Sequence, residues 1–280
     1  MSGLELMLPP FVACMILVAM LSYLGLHVIA REVIFVDLSL AQMAALGSLS
    51  ALLFHVSPDS PLTYVFALLM TAVGAVLFAL TRSSVHGGSG AGRVPQEAFI
   101  GIVYVVAAAS AILLLSQSAE GNEELKRTLV GDILLVRPGE VLRAFALYAV
   151  IGIVHLLFRK SFLMISFEPE RAVAEGVSVR GWDFLFYVLF GFVVTSFVRI
   201  GGVLMIFSYL IVPAVCANLL VDSLKAKLLV GWLTATTSSI VGLYGSYKLD
   251  LPTGAAIVCA LGGALLFVAV AARIGRKAGK

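Results

Sequence analysis

Charge is scarce in this chain. Only 12% of its 280 residues are Asp, Glu, Lys or Arg, about half the share a water-soluble domain usually carries. Cysteine is scarce too. The three present, Cys14, Cys216 and Cys259, lie inside apolar runs without metal-ligand spacing, which reads as small packing residues rather than a redox or metal site. The four histidines, His27, His55, His86 and His155, fall on four separate segments. No stretch matches the GxxxxGK[ST] phosphate loop, because Gly87 to Gly92 has glycines but no lysine and no strand-to-helix setting. HExxH is missing, and so is a GxSxG with a partner histidine. These absences leave an enzyme reading with little support, and the chain is not expected to hydrolyse ATP by itself.

What fills the chain instead is hydrocarbon. Hydrophobic residues make up 61% of it, with a mean hydropathy of +1.07. Nine apolar segments can be drawn, at roughly 7–29, 34–54, 62–81, 98–116, 139–158, 184–199, 202–221, 226–247 and 253–273. Each is close to the ~20 residues that carry an α-helix across ~30 Å of lipid. Backbone amides in lipid must be satisfied within their own segment, so the segments are expected to be helices. No stretch has the period-two alternation of a membrane barrel. The expected fold is all-α: a polytopic transmembrane bundle of eight or nine spans, forming one transmembrane domain over 1–280. The sixth and seventh segments meet at Arg199-Ile200-Gly201-Gly202, where a helix break is expected. Near the amino terminus Phe11-Val12-Ala13-Cys14 faintly resembles a lipoprotein box, but it lacks the basic and apolar stretches of a leader, so none is expected. With the amino terminus outside, 13 of the 19 lysines and arginines fall on the inner side, as the positive-inside rule asks.

Two connections are long. The outer one, about 117–139, carries Glu120, Glu123 and Glu124 and then Ile133-Leu134-Leu135-Val136, a pattern for a polar loop followed by a short helix dipping into the membrane. The inner one, 159–183, contains Glu168-Pro169-Glu170-Arg171-Ala172-Val173-Ala174-Glu175-Gly176. Proline in the first turn, acids around it and glycine just past the end predict a short capped helix. A surface helix of this kind suits the docking of a cytoplasmic partner.

Polar side chains inside spans are costly and therefore informative. In the second segment Asp37, Ser39 and Gln42 fall within one and a half turns. They either line a solute pathway with oxygen atoms, or Asp37 is solvated at the interface while Gln42 bonds a neighbouring helix. In the eighth segment Thr234, Thr236, Thr237, Ser238 and Ser239 suggest close helix packing more than substrate contact. His155 lies mid-span and either faces a cavity or, as is commoner, is a satisfied packing histidine.

Six strings in chain order resemble the zinc/manganese/iron-type metal permeases of ABC importers: Arg31-Glu32-Val33-Ile34-Phe35-Val36 with Leu40 and Gly47; Gln96 to Gly101; Gly131-Asp132-Ile133-Leu134; Glu168 to Gly176; Gly202-Val203-Leu204 through Pro213-Ala214; and Asp250-Leu251-Pro252-Thr253-Gly254. The resemblance implies a multi-pass subunit of the inner (plasma) membrane. It implies import of a divalent metal or a related small solute, ATP bound and hydrolysed by a separate cytoplasmic ATPase, a second permease copy, and an extracytoplasmic solute-binding protein. Lipid is the remaining partner, with no nucleic acid and no cofactor in the chain itself. Glu168, Arg171, Glu175 and Gly176 would belong to the ATPase-coupling helix. One departure stands out. Where the family's second helix places aspartate and histidine four apart, this chain has Leu38 and Gln42. Asp37 is five residues from Gln42 and so turned roughly 140° from it on a helix. The metal ligands, if any, are therefore unassigned. The competing reading is a secondary transporter driven by an ion gradient, which would want mid-span acids and an inverted repeat.

Overall fold

The computed structural model describes residues 3–57, 60–81, 94–116, 131 and 133–278. Among them lie ten α-helices: α1 (Gly3–Ala30), α2 (Val36–Leu53), α3 (Pro61–Thr81), α4 (Gln96–Leu115), α5 (Pro138–Leu157), α6 (Arg159–Phe167), α7 (Pro169–Ala174), α8 (Val179–Leu220), α9 (Leu224–Leu249) and α10 (Thr253–Ala278). All nine expected apolar segments fall on helices. Eight membrane-length pieces meet the length and composition of a span. The remaining one, the second segment (α2), has 18 residues, about 27 Å of helix. The chain is a multi-pass integral membrane protein.

The expected break between the sixth and seventh segments lies within α8. Gly202 sits at φ 73, ψ 158, outside the helical region, and interrupts the hydrogen-bond ladder. The 42-residue helix is thus two span-length pieces, Val179–Val198 and Ile200–Leu220. In the outer connection Ile133–Leu135 forms a single 3₁₀ turn, shorter than the dipping helix the sequence suggested. Glu120, Glu123 and Glu124 lie outside the described residues.

The helices divide into two compact units. One comprises described residues within Met1–Ile29, Leu129–Val150 and Phe197–Lys280; the other, those within Ala30–Thr128 and Ile151–Ser196. In the first, α9 packs on α10, and small residues set the spacing. A methyl at Gly242 would reach 2.5 Å from the Ile257 Cα. Of the hydroxyls in the eighth segment, Ser239 packs inside the bundle: it meets the Tyr209 hydroxyl at 2.6 Å and donates to the Ala235 carbonyl. Asp250-Leu251-Pro252-Thr253-Gly254 makes the sharp turn between α9 and α10, with Asp250 left-handed at φ 52 and Ser246 bonded to Thr253 at 2.7 Å.

In the second unit α2 packs on both α3 and α4. Gly47 of α2 abuts the Phe66 carbonyl of α3, and Leu40 and Met43 pack on Gly74. Thr71 and Thr195 share a buried hydroxyl contact of 3.0 Å. The outer surfaces are apolar. Leu266, Phe267, Val270 and Ile274 of α10 are all more than half exposed, a stripe that water would not tolerate and that lipid solvates.

Candidate functional site

The pathway candidates lie on α2. Its first turn follows a tight connection in which Val36 N–H bonds to the Val33 carbonyl and Ser39 N–H to that of Phe35. Glu97, in the first turn of α4, accepts the Phe35 N–H at 3.0 Å. The Phe35 amide, just before α2, is thus held by a carboxyl oxygen from α4. Asp37, Ser39 and Gln42 are 1%, 0% and 6% exposed. Of the two sequence readings of Asp37, solvation at an interface is set aside. Its Oδ1 and the Ser39 Oγ find no hydrogen-bond partner among the described residues, an uncommon state for buried polar atoms.

The three do not form one cluster. At ~100° per residue, Ser39 and Gln42 lie about 60° apart, whereas Asp37 and Gln42 are separated by roughly 140°. The face towards α3 is set by Leu40, Met43 and Gly47. Leu38 and Gln42 fall on the opposite side, where Leu38, Ala45 and Leu46 are only half-buried. This is the stripe where the resemblance places its metal pair, and here it offers one carboxamide and hydrocarbon. No group of three or more His, Cys, Asp or Glu that could hold a metal exists among the described residues. His155 is a packing residue: its Nδ1 lies 3.0 Å from the Ile151 carbonyl and its ring stacks on Phe162 at 4.4 Å.

The expected capped helix is present as α7. Proline occupies its first position, where a missing amide costs nothing. At the other end Val177 N–H bonds to the Ala172 carbonyl and Gly176 N–H to that of Val173, the paired closure of a Schellman motif. Gly176 supplies the required left-handed residue at φ 73. Arg171 is bracketed by Glu168 and Glu175, each at 2.8 Å. Glu168 first, and then Glu175, raise the guanidinium's pKa above its ordinary value. All four residues named from the sequence are exposed at this one corner.

Beneath α7 lies a helix that the sequence reading missed. α6 has nine residues, too few to register as a span, and its pattern is broken by Arg159 and Lys160. Met164 and Ile165 of α6 pack with Ala172 of α7 against Val177, Val179 and Trp182. Equally missed was a buried ion pair, Arg31 to Asp183 at 2.6 Å, with side chains 1% and 0% exposed. The available signal was an opposite charge next to each of two span ends, 152 residues apart.

The profile of the ABC 3 transport family matches residues 3–273. The chain belongs to that family. Its relatives include the manganese transport system membrane protein MntC of Listeria monocytogenes, 31% identical over 166 residues that span 59% of each chain. The manganese import system permease protein ScaB of Streptococcus gordonii is 29% identical over 197 residues, 70% of each. Among solved structures, PsaBC of Streptococcus pneumoniae in complex with Fab superposes with a TM-score of 0.78 at 21% identity, over 95% of this chain and 93% of that one. That last likeness is one of fold. As a member of the ABC 3 transport family the chain is a transporter component.

Proposed function

We propose that this chain is the membrane permease subunit of an ABC importer of the manganese and iron type. ATP is hydrolysed by a separate cytoplasmic subunit, and cargo arrives from an extracytoplasmic binding protein. The observation that carries the reading is the family match over residues 3–273. It is supported by relatives named for manganese transport and by an exposed, capped helix suited to docking at α7. The functional unit pairs two permease copies in the inner (plasma) membrane, with α7 on the cytoplasmic side.

The cargo passes α2 without strong coordination. A divalent ion at the Leu38–Gln42 stripe meets one amide oxygen, a poor ligand for zinc beside imidazole or thiolate. Manganese or iron(II), which accept oxygen ligands and water, fit such a stripe better than zinc. Uptake assays in cells lacking their own importers test the reading. Cells expressing this chain with its ATPase and binding protein should accumulate manganese or iron in preference to zinc. Zinc uptake exceeding both would overturn the selectivity, and no uptake of any of the three would overturn the metal assignment.

A further inference from the structure

A charge buried in an apolar fold needs a reason. Besides its pairing with Asp183, Arg31 donates from Nε to the Ser166 Oγ at 2.8 Å, and its guanidinium lies 3.9 Å from the centre of the Phe186 ring. Such pairs contribute little net stability, because taking both charges out of water costs about as much as their attraction returns. What they do well is fix geometry. Arg31 fixes three pieces of chain: the connection from α1 to α2, the end of α6 at Ser166, and the start of α8 at Asp183.

Those last two pieces pack with α7 in one apolar cluster. Met164, Ile165 and Ala172 pack with Val177, Val179 and Trp182, and Trp182 also packs edge-on to Phe162. A push on α7 would reach Ser166 and Asp183, two of the groups that hold Arg31. Beyond Arg31 the chain runs directly to Val36, where α2 and its buried Asp37, Ser39 and Gln42 begin.

We propose that Arg31 is a positioning residue for transport. Through Asp183 and Ser166 it transmits displacement of the docking helix α7 to the pathway helix α2. The proposal rests on the permease reading given above and adds the link between its two sites.

The test uses the full complex of this chain with its ATPase and binding protein in liposomes, with manganese as the probe. The double variant Arg31→Met with Asp183→Leu removes both charges together, so no uncompensated charge is left in the interior. It should fold and retain the ATPase on purification, while manganese moved per ATP hydrolysed falls at least ten-fold. Arg31→Lys keeps the charge but loses the planar fork, and should lie between the double variant and wild type. A double variant that assembles and keeps the wild-type ratio would overturn the proposal. So would failure of both variants to fold, since the pair would then serve the fold alone. If the wild-type complex itself shows no manganese-coupled hydrolysis, the permease reading fails before any variant is compared.

Discussion

Leu38 and Gln42 concentrate the question of selectivity in two side chains. α2 is a continuous helix from Val36 to Leu53, so residues four apart share a face. Leu38→Asp with Gln42→His would place two ligands on the half-buried stripe. Metal retained by the purified protein after dialysis should rise well above that of wild type for zinc and manganese. Stoichiometric metal already held by the unaltered protein, and lost in Gln42→Ala, would contradict the reading. Gly47 poses a steric question instead. A methyl there would lie 2.5 Å from the Phe66 carbonyl oxygen, and backbone gives way poorly. Gly47→Ala should destabilise the α2–α3 contact by about 1–3 kcal/mol, measurable as a lower melting midpoint in detergent. An unchanged midpoint would show that α3 shifts freely.

At the scale of elements, α7 was legible in sequence because each of its marks is local: Pro169 at its start, Glu168, Glu170 and Glu175 around it, Gly176 at its close. The long helices were legible because ~20 apolar residues in lipid leave the backbone no alternative. α6 was not, since a nine-residue helix between two bends has neither spanning length nor a clean apolar period. The Arg31–Asp183 pair was illegible for a different reason: no local rule joins residues so distant in the chain. For Asp37 the sequence left a solute pathway and solvation at an interface as alternatives, because its burial depends on how α3 and α4 pack against α2. The docking role proposed for α7 predicts that Glu175→Lys, which removes one of the two acids flanking Arg171, reduces metal-stimulated ATPase activity several-fold. The amount of folded protein in the membrane should not change, because exposed pairs of this kind add little to stability. Wild-type stimulation and uptake in that variant would remove α7 from the coupling site.

For the whole molecule, orientation and energy source are the two properties to establish. The placement of basic residues puts the α8–α9 connection inside and the α9–α10 connection outside. With the exposed Cys259 replaced, a cysteine at Leu251 should react with a membrane-impermeant thiol reagent from outside the cell, and one at Ser223 should not. The reverse pattern would invert the topology. The central claim is that this chain moves metal with energy supplied by a partner's ATP hydrolysis, and reconstitution measures it directly. Liposomes containing the chain, its ATPase and its binding protein should accumulate manganese only when ATP is present on the ATPase side. Accumulation should stop when the ATPase is inactivated by substitution in its own phosphate loop. Accumulation that persists without hydrolysable ATP and follows an imposed ion gradient instead would contradict the account.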